Sequence, residues 1–208
     1  TSVTSGITVN LAAGTVVGDA SIGTDTLISV AAVRGTNFAD TYDATGFGPT
    51  SINAGSQNTL HEFTGMGGDD TIIGNGATRL SYNNATAGIV FNIATGITTG
   101  DASVGTDHFS GVNAVQATMF DDTLIGGATN DTFAGLAGND SIDGGGGFDT
   151  ATYWNIYFVT GGVTVDMASG IVTGDASTGT DTLRGIEAIQ GTSFADTYVA
   201  TNYGAAGY

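Results

Sequence analysis

The stretch 126–152 repeats with a period of nine residues, and this period limits the fold more than any other feature of the chain. Its blocks read GGATNDTFA, GLAGNDSID and GGGGFDTAT. Three aspartates fall at the same phase of the blocks: Asp131, Asp140 and Asp149. Gly138 and Gly147 stand where the backbone must turn through conformations that a residue with a Cβ resists. The last three residues of each block alternate in polarity, so each block predicts one turn and one short strand with one buried face.

The repeated aspartates predict a metal site. If two blocks complete one coil, Asp131 stacks near Asp149 on one side, and Asp140 stacks near the turn of Asp122 on the other. Stacked carboxylates repel each other unless a cation lies between them. Calcium takes six to eight oxygen ligands, which aspartates and free turn carbonyls supply. A single Gly-Asn-Asp run is more often an ordinary surface turn, but three blocks in phase favour the metal.

These three contiguous blocks resemble the RTX, or haemolysin-type calcium-binding, repeat of secreted bacterial proteins. The resemblance implies Ca²⁺ as the cofactor and type I secretion as the export route. It also implies an all-β fold, a right-handed parallel β-roll or β-solenoid of elongated form.

A longer unit of 36 residues also repeats. Its three copies lie at 7–42, 89–124 and 163–198. Each copy opens with strict alternation of apolar residues, which predicts a strand with one buried face. We therefore expect residues 1–208 to form one continuous β-solenoid, with nonapeptide blocks between the copies at 65–73 and 126–152.

Two variant turns occur inside each copy. A G-D-A-S-x-G-T-D segment places a glycine two residues before Asp25, Asp107 and Asp181, as in the nonapeptide. A block ending F-x-D-T has phenylalanine where the nonapeptide has glycine, which a tight left-handed turn would resist. The aspartates of that block are therefore weaker candidates (Asp40, Asp122 and Asp196), and its rings are expected to fill the core (Phe38, Phe120 and Phe194). The full set of candidate metal residues is Asp131, Asp140, Asp149, Gly138, Gly147, Asn139, Asp70, Gly68, Asp25, Asp107, Asp181 and Asp122.

Calcium occupancy is expected to be patchy between the first two copies. His61 falls at the aspartate phase of its block, and Thr78 and Arg79 lie where the next aspartate would be expected. Both His61 and His108 are isolated histidines, and no catalytic motif is present, so an enzyme is not expected.

Composition narrows the choice of partners. The formal net charge is −17, with three arginines and no lysine, which disfavours a nucleic-acid partner. No apolar run approaches the roughly 20 residues of a membrane helix, so insertion into a membrane is not expected. The chain has no cysteine, which fits a secreted bacterial protein without disulfides. The strong negative charge should destabilise the calcium-free chain by self-repulsion.

The leading functional prediction is an extracellular structural repeat protein that folds on Ca²⁺ and serves in a surface layer, an adhesin or a head-to-tail filament. One alternative is the C-terminal repeat portion of a secreted protease, lipase or epimerase. Another is a surface-recognition module that binds ice or glycan through outward threonine columns.

Two further features leave alternatives open. The aromatic segment 153–158 is either a bulge packed over the solenoid or a contact site for a subunit or glycan.

The end of the chain, Tyr208, runs in phase into Thr1 when one copy of the sequence is written after another. The chain is therefore expected to be a segment of a larger repeat protein or a subunit that stacks end to end.

Overall fold

The computed structural model describes residues 2–53, 60–154 and 158–202, and within them all regular structure is β-strand. The nineteen strands of these residues are β1 Thr8–Asn10, β2 Thr15–Val17, β3 Thr24–Thr26, β4 Ala32–Arg34, β5 Thr41–Asp43, β6 His61–Thr64, β7 Thr71–Ser81, β8 Val90–Asn92, β9 Ile97–Thr99, β10 Thr106–Gln116, β11 Thr123–Ile125, β12 Thr132–Ala134, β13 Ser141–Asp143, β14 Thr150–Thr152, β15 Thr164–Asp166, β16 Ile171–Thr173, β17 Thr180–Arg184, β18 Ala188–Gln190 and β19 Thr197–Val199. Across those ranges, no helix of the length and apolarity needed to cross a membrane occurs.

The chain groups into two compact units. The first, here the N-terminal unit, comprises Thr1–Ala85 and Gly96–Ala114. The second, the C-terminal unit, comprises Thr86–Thr95 and Val115–Tyr208.

Parallel ladders in the C-terminal unit join strands one coil apart. Thr123 of β11 pairs with Ser141 of β13, and Thr132 of β12 pairs with Thr150 of β14. Both pairs are separated by two nonapeptide blocks, so the prediction that two blocks complete one coil is confirmed. Each unit is an all-β solenoid of such coils, built in the N-terminal unit from ladders such as that of β5 on β7.

Each 36-residue copy also contains antiparallel pairs, which the all-parallel expectation did not include. β1, β2 and β3 pair antiparallel in succession, as do β15, β16 and β17. The chain reverses between the first two strands of each set at Gly14 and Gly170, whose φ values are 67° and 66°. Only glycine adopts this left-handed conformation without a steric penalty, and it permits the tight reversal.

The buried faces of the strands form the core. Most of the alternating apolar residues that open the copies are buried, and Val9, Phe91 and Val165 have no exposed surface. The last residue of the alternation is only half-buried in the second and third copies, at Ile93 and Met167. Polar neighbours point outward because side chains alternate faces along a strand.

The phenylalanines of the F-x-D-T blocks do not fill the core, and that prediction was wrong. Phe38, Phe120 and Phe194 are 42%, 44% and 48% exposed. They lie in turns two residues before an aspartate, where the side chain projects away from the coil. None of the three has a positive φ. The turns therefore differ from glycine-containing turns, as the sequence indicated.

Candidate calcium-binding turns

Aspartates of successive coils in the N-terminal unit are linked by hydrogen bonds into a column. The backbone N–H of Asp40 donates to Oδ1 of Asp70 at 2.8 Å, and the N–H of Asp70 donates to Oδ1 of Asp107 at 3.0 Å. The column begins at Ile7, whose N–H donates to Oδ1 of Asp40. One oxygen of each carboxylate is thus fixed by the preceding coil.

The C-terminal unit contains two such columns. In the first, Asp122 donates its N–H to Asp140, and Asp140 donates to Asp181, both at 2.9 Å. In the second, Asp131 donates to Asp149 at 2.8 Å. The predicted stacking of Asp140 on the Asp122 turn and of Asp131 on Asp149 is confirmed.

Two tyrosines cap these columns, a role that the sequence analysis did not predict for either of them. The hydroxyl of Tyr82 donates to Oδ2 of Asp107 at 3.0 Å, and that of Tyr153 donates to Oδ2 of Asp181 at 2.7 Å. Both hydroxyls are buried. The signal was present in the sequence, because a tyrosine precedes the second and third 36-residue copies.

Three of the predicted metal residues lie in strands rather than in turns. Asp25, Asp107 and Asp181 belong to β3, β10 and β17. The turn expected around each aspartate instead comes before it and ends at the glycine two residues earlier, where φ is positive. Asp107 and Asp181 are buried at the ends of columns, whereas Asp25 is exposed.

The second carboxylate oxygen, Oδ2, divides the aspartate turns into two kinds. In four turns, here called closed turns, Oδ2 accepts the backbone N–H of the residue four positions earlier. These bonds run from Thr36 to Asp40 (2.7 Å), Thr118 to Asp122 (2.9 Å), Gly127 to Asp131 (2.8 Å) and Thr192 to Asp196 (3.0 Å). In three of them the threonine hydroxyl also donates to the carboxylate. Both oxygens of those three carboxylates are therefore satisfied by protein donors.

In the other three turns, here called open turns, Oδ2 is buried and has no hydrogen-bond partner among the described residues. They carry Asp70, Asp140 and Asp149. The backbone differs from that of the closed turns, because the residue four positions before each aspartate has a positive φ. These residues are Met66 (73°), Leu136 (75°) and Gly145 (83°).

A glycine two residues before the aspartate also distinguishes the open turns. Gly68, Gly138 and Gly147 have φ values of 112°, 119° and 128°, a range closed to residues with a side chain. The closed turns carry phenylalanine or threonine at this position.

Electrostatics favours a cation at the open turns. Burial raises the pKa of Asp70 and of Asp140 to about 8, with the charges of neighbouring aspartates adding to the effect. Burial also raises the pKa of Asp149. A buried carboxylate with a raised pKa is costly to ionise, and an adjacent positive charge relieves that cost.

The donor set fits calcium. Among the described residues, no three side chains of His, Cys, Asp or Glu come together in one cluster that could hold a metal ion. Each site would therefore use one or two carboxylates, with backbone carbonyls of the glycine-rich turns completing the oxygen ligands that Ca²⁺ requires. Asn139 has a local role, since its Oδ1 accepts the N–H of Thr180 and its own N–H donates to Asp121.

The region in which calcium occupancy is expected to be patchy contains a buried histidine. His61 is 1% exposed, and its Nε2 lies 2.7 Å from Oγ1 of Thr78. Desolvation lowers the pKa of His61 to about 4, which keeps the ring neutral. His108, by contrast, is exposed on β10. The His61 and Thr78 pair thus occupies a place where the sequence pattern would put carboxylates.

Comparison with known families agrees with this geometry. The RTX calcium-binding nonapeptide repeat family matches residues 62–77 and 117–151, in four copies. The chain contains RTX calcium-binding nonapeptide repeats at these positions. Its repeats bind Ca²⁺, and the matched residues contain all three open turns together with the closed turns of Asp122 and Asp131. A search of curated proteins finds no match to the chain.

Proposed function

We propose that this RTX repeat protein is a non-enzymatic, extracellular structural module that folds on calcium and serves in a surface layer, an adhesin or a head-to-tail filament. One observation carries the proposal: three buried carboxylate oxygens, on Asp70, Asp140 and Asp149, have no hydrogen-bond partner in the part of the chain that the structure describes. Such groups destabilise the calcium-free fold, and a bound cation would compensate them.

The proposed ligands are the carboxylates of these three open turns. The closed turns would hold their shape without metal, because both oxygens of Asp40, for example, accept protein hydrogen bonds. Asp122, Asp131 and the strand aspartates are proposed to shape the columns rather than to hold the ion.

The proposed location follows from the same linkage. At low intracellular Ca²⁺, uncompensated carboxylates would keep the chain open, which suits export as an unfolded polypeptide. At the millimolar Ca²⁺ found outside cells, weak extracellular-type sites fill. A structural role is supported by the histidines, because His61 is buried in the core and His108 is exposed on β10.

The test is a calcium titration of the 208-residue chain, followed by far-UV circular dichroism from EGTA to about 10 mM Ca²⁺. The proposal expects β-structure to appear with Ca²⁺ and to be lost on chelation. Mg²⁺ serves as the control, since it demands a smaller octahedral site and should not replace Ca²⁺ at equal concentration. Equal β-structure in EGTA and in Ca²⁺ would refute calcium-linked folding.

A further inference from the structure

Two strand edges of this protein carry complementary unpaired groups. β3 belongs to the first 36-residue copy and β19 to the third. All residues of both strands are exposed. Within the described part of the chain, β3 has a ladder to β2 and β19 a ladder to β15, and neither has a partner on its other side.

The strand of the third copy that corresponds to β3 shows which partner belongs on that side. β17 pairs in parallel with β13, with Ser141 opposite Thr182 and Ile142 opposite Leu183. The backbone N–H of Thr182 donates to the carbonyl of Asp140, and the N–H of Asp140 donates to the carboxylate of Asp181. The residues that correspond to Thr182 and Asp181 in β3 are Thr26 and Asp25.

The strand of the second copy that corresponds to β19 shows the opposite half of this arrangement. β11 pairs with β8 on one side and with β13 on the other. The carbonyl of Asp122 accepts the N–H of Ser141, and the N–H of Asp122 donates to the next carboxylate of the column. The corresponding residue is Asp196, which directly precedes β19, and no described residue fills either role for it.

Exposure of the apolar positions supports the comparison. Tyr198 of β19 is 51% exposed, whereas the residues at the same position of the other copies, Tyr42 and Leu124, are fully buried. At the β3 edge, Ile28 is 74% exposed. Both edges thus present apolar surface next to unpaired backbone groups, and such edges pair with other chains unless they are covered.

We infer that β19 of one copy of this protein pairs in parallel with β3 of a second copy. Thr197 lies opposite Thr26 and Tyr198 opposite Leu27. The N–H of Thr26 donates to the carbonyl of Asp196, and the N–H of Asp196 donates to the carboxylate of Asp25. This heterologous contact joins two different surfaces, so each added copy leaves one of each edge free for the next.

The inference rests on the head-to-tail form of the proposed function and specifies its register. It can be tested with single-cysteine variants, because the chain contains no cysteine of its own. Thr26→Cys and Thr197→Cys proteins are mixed in saturating Ca²⁺ and treated with a short bis-maleimide crosslinker. Opposed residues on neighbouring strands lie about 5 Å apart, within reach of that reagent.

The expected result is a crosslinked dimer containing one of each variant, at least about tenfold more abundant than the product of a control mixture. The control pairs Thr26→Cys with Thr132→Cys, which is also exposed but lies on β12, outside either edge. Crosslinking of Thr26→Cys with itself at the same yield, or no product above the control, would overturn the inference.

Circular dichroism of each variant with and without Ca²⁺ distinguishes failure of the contact between β19 and β3 from failure of the proposed function. Variants that fold on Ca²⁺ but do not crosslink would refute the contact and leave calcium-linked folding intact. Variants that are equally folded in EGTA and still crosslink would support the contact and refute calcium-linked folding.

Discussion

At the scale of single residues, the carboxylate oxygens decide what each turn can do. An aspartate whose two oxygens accept protein hydrogen bonds shapes its turn, whereas one with a buried unpaired oxygen needs a cation or a proton. The backbone sets this difference, because the glycine two residues before the aspartate permits the open turn.

Gly138→Ala should destabilise the calcium-bound protein by at least about 2 kcal/mol. Alanine is strained at the positive φ of this position, and its Cβ would also clash with a neighbouring backbone. The added atom would lie 2.5 Å from the carbonyl of Phe120. Gly146→Ala is the matched control, because its nearest neighbour lies 3.9 Å away and its φ is not positive. Urea unfolding in saturating Ca²⁺ measures both. Equal losses would contradict this account of the turn.

Tyr153→Phe should cost about 1–3 kcal/mol, because it leaves the buried Oδ2 of Asp181 without its hydroxyl donor. The same change in an Asp181→Asn background should cost less, by about 1 kcal/mol, since the charged acceptor is already gone. Urea unfolding of the four proteins of this cycle gives the coupling. Strictly additive losses would show that the hydroxyl does not act through Asp181.

At the scale of strands and turns, the nine-residue period predicted the short strands, the coil of two blocks and the buried alternation. It did not predict the exposed phenylalanines or the antiparallel pairs. The alternation of polarity predicts which side chains of a strand are buried. It does not apply to a turn residue such as Phe120, because the direction of that side chain depends on the backbone conformation of the turn.

The difference between open and closed turns was also partly visible in the sequence, because a phenylalanine two residues before the aspartate weakened Asp122 as a candidate ligand. Thr129 at the same position carried the same signal for Asp131.

The exposed position of Phe120 can be checked against a buried ring. Phe120→Ser should change the free energy of unfolding by no more than about 0.5 kcal/mol, as surface substitutions do. Phe91→Ala removes a fully buried ring from β8 and should cost about 3–5 kcal/mol. Thermal or urea unfolding in saturating Ca²⁺ distinguishes them. A large loss from Phe120→Ser would place that ring in the core after all.

The buried His61 of β6 should make the stability of the fold sensitive to mild acid. His61 has a pKa of about 4 in the folded chain, below its ordinary value of 6.5. Its contribution to stability is therefore complete above about pH 6.5 and falls as the pH drops toward 4, because the unfolded chain binds the proton more readily. The loss should reach up to about 3 kcal/mol.

The measurement compares wild type with His61→Gln by urea unfolding between pH 4 and pH 7.5, since glutamine removes the titration. The stability difference between the two proteins should shrink as the pH falls. His108→Gln serves as the control, because His108 is exposed and should leave the pH dependence unchanged. A constant difference between wild type and His61→Gln would contradict a neutral, buried imidazole.

At the scale of the whole molecule, charge and metal act together. The chain carries a formal net charge of −17, and its open-turn carboxylates are buried. Bound Ca²⁺ would reduce both the self-repulsion and the cost of burying those groups. The central claim is that the three open turns, rather than all the aspartate turns, hold the metal.

The most direct test compares two triple variants by calcium binding, measured by equilibrium dialysis and scaled to the folded fraction from circular dichroism. One replaces the open-turn residues (Asp70→Asn, Asp140→Asn and Asp149→Asn), and the other replaces closed-turn residues (Asp40→Asn, Asp122→Asn and Asp196→Asn). The account predicts that the open-turn variant loses most of its bound Ca²⁺ and is at least as folded as wild type in EGTA, because neutral amides replace uncompensated charges. The closed-turn variant should bind as much Ca²⁺ per folded chain as wild type. Equal loss of Ca²⁺ from both variants would contradict the claim.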